Sequence, residues 1–245
     1  MTYVEGFVLP VPATNKEAFY RHAEEVGAFL PELGVRRQVE AWGDDLPEGK
    51  VTDFRKSVQA QDGEEVVFAW FEYPDRATRD AANARMMTDP GMAELAPKSP
   101  FDAKRMIMGG FESILDEGSG GGSGVGGYTD GFVLAVPEGN KDAYRAMAQK
   151  AAAVFQEHGA TRVVEAWGDD VSAGRVTDFY RAVQAQDGER VVFSWIEWPS
   201  REVRDEAWQK VMADERMKPD HDNMPFDGKR MFWGGFRPVL DTARG

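Results

Sequence analysis

Residues 3–9 are rich in β-branched and aromatic side chains (Tyr3, Val4, Phe7, Val8), with Pro10 and Pro12 close behind, and predict a strand. From Thr14 the period changes. Phe19, Ala23, Val26, Phe29/Leu30 and Leu33 recur at spacings of three and four. They follow Thr14-Asn15-Lys16-Glu17, where the threonine hydroxyl can accept from a first-turn N–H and the glutamate can reach back. An amphipathic helix of about five turns follows, ended at Gly34, where a positive φ is welcome. The stretches 35–42, 51–60 and 66–73 predict three strands, parted by Gly43-Asp44-Asp45 and by a hairpin turn at Gln61-Asp62-Gly63-Glu64. Pro74-Asp75 opens a second helix that runs to Met87. Residues 88–100 are turn-rich and predict a loop with one short helical turn. Residues 104–115 form the last strand, with Gly109-Gly110 marking a bulge or a close backbone approach.

The pattern then begins again. Tyr3 answers to Tyr128, Trp42 to Trp167, Trp70 to Trp195, Phe111 to Phe236 and Asp116 to Asp241, always 125 positions apart. No insertion interrupts the register, and roughly half of the paired positions are identical, the mark of a tandem repeat. Between the copies, residues 117–127 have no period and the composition of a flexible Gly/Ser coil. Two units are expected, 1–116 and 128–245, joined by that linker. Each reads β-α-β-β-α-β with an extended central hairpin, the ferredoxin-like pattern of an α+β fold. Such a sheet carries helices on one face only. Trp42, Phe54, Phe68 and Trp70 leave aromatic surface to be covered, and the nearest cover is the sister half, sheet face to sheet face, as a pseudo-twofold barrel. A coil of eleven such residues reaches roughly 17–20 Å, so pairing within the chain should prevail and the chain should be a monomer.

The composition is 42% apolar and 29% charged, with a net charge of −13 and no cluster of Lys and Arg. Phosphate backbones and anionic membrane surfaces are therefore excluded as partners. The absence of cysteine excludes disulfides, thiolate catalysis and Cys-ligated metals. Met1-Thr2-Tyr3-Val4-Glu5 begins no leader-like run and no stretch approaches a membrane span, so a cytoplasmic location is expected.

Candidate chemistry rests on few residues. Glu40 and Glu165 stand beside Trp42 and Trp167, and Glu72 and Glu197 beside Trp70 and Trp195. A carboxylate among indole rings can have its pKa raised by desolvation and serve as a general base; the plainer reading is a salt bridge to Lys104, Arg105 or their copies. His22, one residue off its helix stripe, is either half-buried structure, a pocket acid/base or an axial haem ligand. His158 falls at a helix end and His221 on a loop, and no two histidines have ligand spacing, so no metal site is expected. Asp44-Asp45 and Asp169-Asp170 read as turn caps, and Arg79-Asp80 and Arg204-Asp205 as a solvated helix face. Trp208 and Trp233 replace Asn83 and Met108 of the first copy, and the many methionines read as packing or as an adaptable pocket lining. No phosphate loop, Ser-His-Asp set or dinucleotide fingerprint occurs.

Longer strings add a resemblance. Tyr-Thr-Asp-Gly-Phe-Val-Leu (128–134), Glu-Ala-Trp-Gly-Asp-Asp (40–45 and 165–170), Val-Thr-Asp-Phe (51–54 and 176–179), Val-Val-Phe-Ser-Trp-Ile-Glu-Trp-Pro (191–199) and Met-Pro-Phe-Asp-Gly-Lys-Arg-Met (224–231) with Gly-Gly-Phe (234–236) together resemble the YbaA-like bacterial family, a domain of unknown function in the dimeric α/β-barrel superfamily. The first copy departs from it at Ser99, Ala103 and Tyr73, and Ala41 and Ala166 stand where the family usually carries Cys. The resemblance implies two ferredoxin-like units whose sheets close into a barrel. It implies no activity, because the wider superfamily includes cofactor-free monooxygenases, haem-degrading enzymes, isomerases and noncatalytic modules.

The expected function is small-molecule binding, with cofactor-independent action on an apolar or aromatic compound. Glu40, Glu165 and His22 would move protons in a barrel pocket lined by Trp42, Trp70, Trp167, Trp195, Trp208, Trp233 and Met108. The alternatives are a noncatalytic module with a filled barrel, or an engineered single-chain version of a homodimer. A large cavity facing a carboxylate favours binding; a barrel filled with side chains favours the module.

Overall fold

The computed structural model describes residues 2–118, 124–218 and 223–243. The first half runs β1 (Tyr3–Pro12), α1 (Lys16–Gly27), β2 (Arg37–Asp45), α2 (Phe54–Ser57), β3 (Glu64–Tyr73), α3 (Arg76–Met86), α4 (Pro90–Leu95) and β4 (Ile107–Gly118). The second runs β5 (Tyr128–Pro137), α5 (Lys141–Glu157), β6 (Arg162–Asp170), α6 (Phe179–Ala182), β7 (Glu189–Trp198), α7 (Arg201–Ala213) and β8 (Phe232–Asp241).

Neighbouring strands are antiparallel, in the order β4-β1-β3-β2 and β8-β5-β7-β6. The halves meet by their edges as well as their faces. Strand β2 pairs with β8 and β4 with β6, which closes one eight-stranded barrel. Both sides of the strands are buried because one faces the barrel interior and the other lies under helices. Ser200 and Asp75 cap α7 and α3 at the positions expected of them.

Local chemistry explains where the pattern and the fold part. Residues 51–60 form no strand: the Asp53 carboxylate accepts from the Lys56 N–H at 2.7 Å and starts α2, and Gln59 at φ 51° ends that turn. Phe54 and Val58, four apart, are its buried face. In the first copy Pro31 ends the long helix early, leaving α1 and a 3-10 turn, whereas Gln156 at the matching place lets α5 run on. Thr14 makes no capping box; Asn15 stands at the cap and its amide donates to the Pro100 carbonyl. The linker also begins later than its composition suggests. Glu117 and Gly118 pair with β6, and Gly124–Gly126 form a turn whose Gly124 N–H donates to Asp241.

The barrel interior is filled. Phe68 and Phe193 stack at 4.4 Å, one from each half, and Trp70 lies 4.6 Å from Trp195. Phe54 and Phe179, delivered by α2 and α6, plug one end against Phe236 and Phe111. The Thr177 hydroxyl fastens that end by donating to the Ser57 carbonyl across the halves. Gly6 makes the stack possible, because a Cβ there would lie 2.9 Å from the Phe193 ring. Gly6→Ala is expected to cost about 1–3 kcal/mol in urea unfolding by overpacking; an unchanged midpoint would show that the rings can yield.

Arginines close the other end. Arg37 donates to Glu197 at 2.7 and 3.0 Å and to Asp241 at 2.9 Å; Arg162 makes the matching bonds to Glu72 at 2.8 and 3.0 Å and to Asp116. Glu72 and Glu197 are thus ion-paired across the halves, while Arg105 serves Glu64 instead. Arg79 and Arg204 are buried rather than solvated, and reach Asp170 and Asp45 of the opposite half at 2.7 and 3.0 Å. Asp44 and Asp169 likewise accept from Arg201 and Arg76 across the halves, so both Asp-Asp pairs are interface acids rather than turn caps.

Candidate functional site

Between the outer face of the first-half sheet and α1, α3 and α4 lies a cavity of about 260 Å³. The alternation of strands places its floor. With the even positions of β1 and β3 turned into the barrel, Glu5 and Phe7 of β1, Ala69 and Phe71 of β3, and Glu40 of β2 turn outward. Ala69 stands opposite both Phe7 and Glu40, and its small side chain leaves room over the floor. Phe19, Met92 and Met108 complete apolar walls.

Five polar side chains line this space, Glu5, Glu40, His22, Asn83 and Ser99, the last with its hydroxyl donating to the Ala96 carbonyl. Glu40 is 7% exposed and accepts from the Gln38 amide at 3.1 Å. No cation pairs with it among the described residues. Burial raises its pKa to about 7, against the weaker opposing pull of that amide. Glu5 accepts from the Asn83 amide at 2.8 Å and from the Tyr73 hydroxyl at 3.5 Å, with Arg79 3.9 Å away; burial still raises it. His22 stacks edge-on against Phe101 at 6.1 Å, and burial lowers its pKa, which favours the neutral ring.

The second half has a smaller counterpart of about 200 Å³ with different contents. There the Tyr144 hydroxyl donates to Glu165 at 2.6 Å, and burial raises Glu165 to about 7. Asp130, the counterpart of Glu5, accepts from the indoles of Trp198 and Trp208 at 2.9 and 2.8 Å and pairs with Arg204 at 2.7 Å.

Of the residues singled out by sequence, Glu40, His22 and Met108 therefore share one cavity and Glu165 lines the other. No tryptophan lines either of these two cavities. Trp70 and Trp195 are fully buried in the filled centre of the barrel, where their indoles donate to Glu72 and Glu197. Trp42 packs under α1 beside Phe19 and the Lys16 ammonium, and Trp167 lies under the Lys141 ammonium. Trp208 packs into its own half beside Trp233, which is 37% exposed. His158 sits at the C-cap of α5, and His221 lies outside the described residues. Glu5 and Asn83 were not foreseen; the one available sign was an acid set within an apolar strand. Among the described residues no cluster of His, Asp and Glu could hold a metal ion, and no helix is long and apolar enough to cross a membrane.

Known proteins match the chain in both halves. The model of the family described as "Protein of unknown function (DUF1428)" matches residues 2–103 and again 127–228. The uncharacterized protein YbaA of Escherichia coli strain K12 is 61% identical over 114 residues, covering 46% of this chain and 97% of the relative; YbaA of Shigella flexneri gives the same figures. Among solved structures, a "putative monooxygenase" from Fusobacterium nucleatum matches with a TM-score of 0.62 and 9% identity, covering 100% of this chain and 95% of the other. An anthrone oxidase-like protein matches with a TM-score of 0.59 and 13% identity, covering 100% and 94%. At such identities the likeness carries the α/β-barrel fold alone.

Proposed function

Since the chain belongs to the DUF1428 family in both halves, as a tandem duplication of a YbaA-like domain, we propose that it binds a small apolar or aromatic molecule in the first-half cavity and that Glu40 moves a proton there. The observation that carries this reading is a buried carboxyl without a cation, facing an apolar cavity of about 260 Å³. A general base works best when its pKa lies near the operating pH, and burial brings Glu40 to about 7. His22, on α1 over the same cavity and favoured as the neutral ring by burial, is the second group able to accept a proton. Glu165 is the poorer base, because the Tyr144 hydroxyl already occupies its carboxylate.

A thermal-shift series with small aromatic compounds tests the binding. A ligand at 100 times its dissociation constant is expected to add about 2.7 kcal/mol of stability. Glu40→Gln should keep binding and lose any turnover. A panel that leaves the melting temperature unmoved would remove the proposal and favour the noncatalytic module, for which the filled barrel speaks. In the same reading each half is a ferredoxin-like unit, 1–116 and 128–245, and the chain is a cytoplasmic monomer; sedimentation at twice the chain mass would overturn the last point.

A further inference from the structure

Each residue around the first-half cavity has a counterpart 125 positions further on, so the second half serves as an internal reference for what the first half lacks. Three exchanges matter. Phe19 stands for Tyr144, Ala69 for Ser194 and Asn83 for Trp208. In the second half the Tyr144 hydroxyl donates to Glu165 at 2.6 Å, and Ser194 stands opposite Glu165 on the neighbouring strand. The Trp208 ring packs 5.1 Å from Phe155, and its N–H donates to Asp130 at 2.8 Å. Aromatic mass and a hydroxyl donor are thus supplied by the chain itself.

The first half has the same acids without those groups. Glu40 is more than nine-tenths buried and lines the cavity, with the Gln38 amide as its one hydrogen-bond donor among the described residues. A carboxyl group offers about four lone-pair sites, so acceptor capacity is left over toward the cavity. The remaining walls, including Phe7, Phe19, Phe71 and Met108, suit a flat ring. A ligand carboxylate is disfavoured, because Glu5 and Glu40 face the same space.

Resting on the reading of this cavity as a ligand site, we infer that its ligand is a phenol or a comparable flat ring bearing one hydroxyl. The hydroxyl donates to Glu40 as that of Tyr144 does to Glu165, and the ring occupies room that Trp208 takes in the other half. One molecule binds per chain, because in the second half the Tyr144 hydroxyl already takes the Glu165 carboxylate and the cavity is the smaller of the two.

Isothermal titration with 2-naphthol and with 2-methylnaphthalene, which has the ring but no donor, tests this. The expected result is one 2-naphthol per chain, bound at least about tenfold tighter than 2-methylnaphthalene, since a hydrogen bond to a buried carboxyl is lost with the hydroxyl. Phe19→Tyr should weaken 2-naphthol about tenfold and move the hydrocarbon far less. Ala69→Ser provides the same test with a smaller change, should the first variant fold poorly. The double variant Tyr144→Phe, Trp208→Asn should raise the stoichiometry to two. Equal affinity for the two compounds, or both first-half variants binding 2-naphthol as the parent does, overturns the phenol assignment and leaves the cavity as a ligand site. Two molecules per parent chain overturns the single-site inference. Binding of neither compound overturns the reading of the cavity itself.

Discussion

Replacing Arg37 with Met is expected to lower the unfolding free energy by about 3–5 kcal/mol, the usual consequence of leaving a buried charge without its partner. Glu197, 1% exposed, receives both Arg37 nitrogens and would keep only the Trp195 indole at 3.0 Å and Arg162 at 3.6 Å. Asp241 would lose its guanidinium as well. Arg37→Lys should recover only part of the loss, because an ammonium cannot present two parallel N–H groups to each carboxylate. Arg37→Met combined with Glu197→Gln should be less damaging than the single change, since the stranded charge is gone. Urea unfolding measures all three. A loss within about 0.5 kcal/mol for Arg37→Met, as at an ordinary surface site, would mean that the cluster contributes nothing net.

The second large effect is on the pH dependence of stability. Glu40 and Glu165 have pKa values of about 7 in the folded chain against an ordinary 4.5. Folding therefore keeps two protons that the unfolded chain releases between those values. Their contribution is complete below about pH 4.5 and is lost as the pH rises through about 7. Each amounts to on the order of 3 kcal/mol across that window. Burial shifts Glu5 and Asp130 in the same direction, adding to the slope. Asp44 and Asp241 are held low by Arg237 and Arg37, against their burial; their contribution stands above the carboxylate range and is lost in acid. The melting temperature should accordingly fall between pH 5 and pH 8. Glu40→Gln should flatten that fall and exceed the parent in stability at pH 8. A variant with the parent's slope would show that Glu40 titrates normally.

The duplication was legible because a repeat leaves its register on every residue, and the helix caps at Asp75 and Ser200 were legible because capping is local. The barrel itself was expected from the bare aromatic sheet faces and from the family resemblance, but not which strand edges close it. Strands β2 and β8 are almost 200 positions apart, and a seam between them leaves no mark on either one. The arginines failed for the same reason: Arg79-Asp80 looks like a wet helix face until Asp170 arrives from the other half. The 51–60 run looked extended because Val, Thr and Phe favour strands, while a single side-chain bond from Asp53 decided for a helix. For the site, Glu40 and His22 stood out as polar groups on apolar elements. Trp70 and Trp195 were misleading, since a large ring suits a packed barrel as well as a binding wall.

A homodimer of identical subunits writes every substitution into both of its sites, so a residue that helps at one must be endured at the other. Here the two sites are spelled separately. Tyr144 and Trp208 can take up acceptors on one side while Phe19 and Asn83 leave those on the other side open, both on the outer faces of one closed barrel. A substitution beside Glu40 therefore leaves the surroundings of Glu165 unchanged, and the reverse holds too.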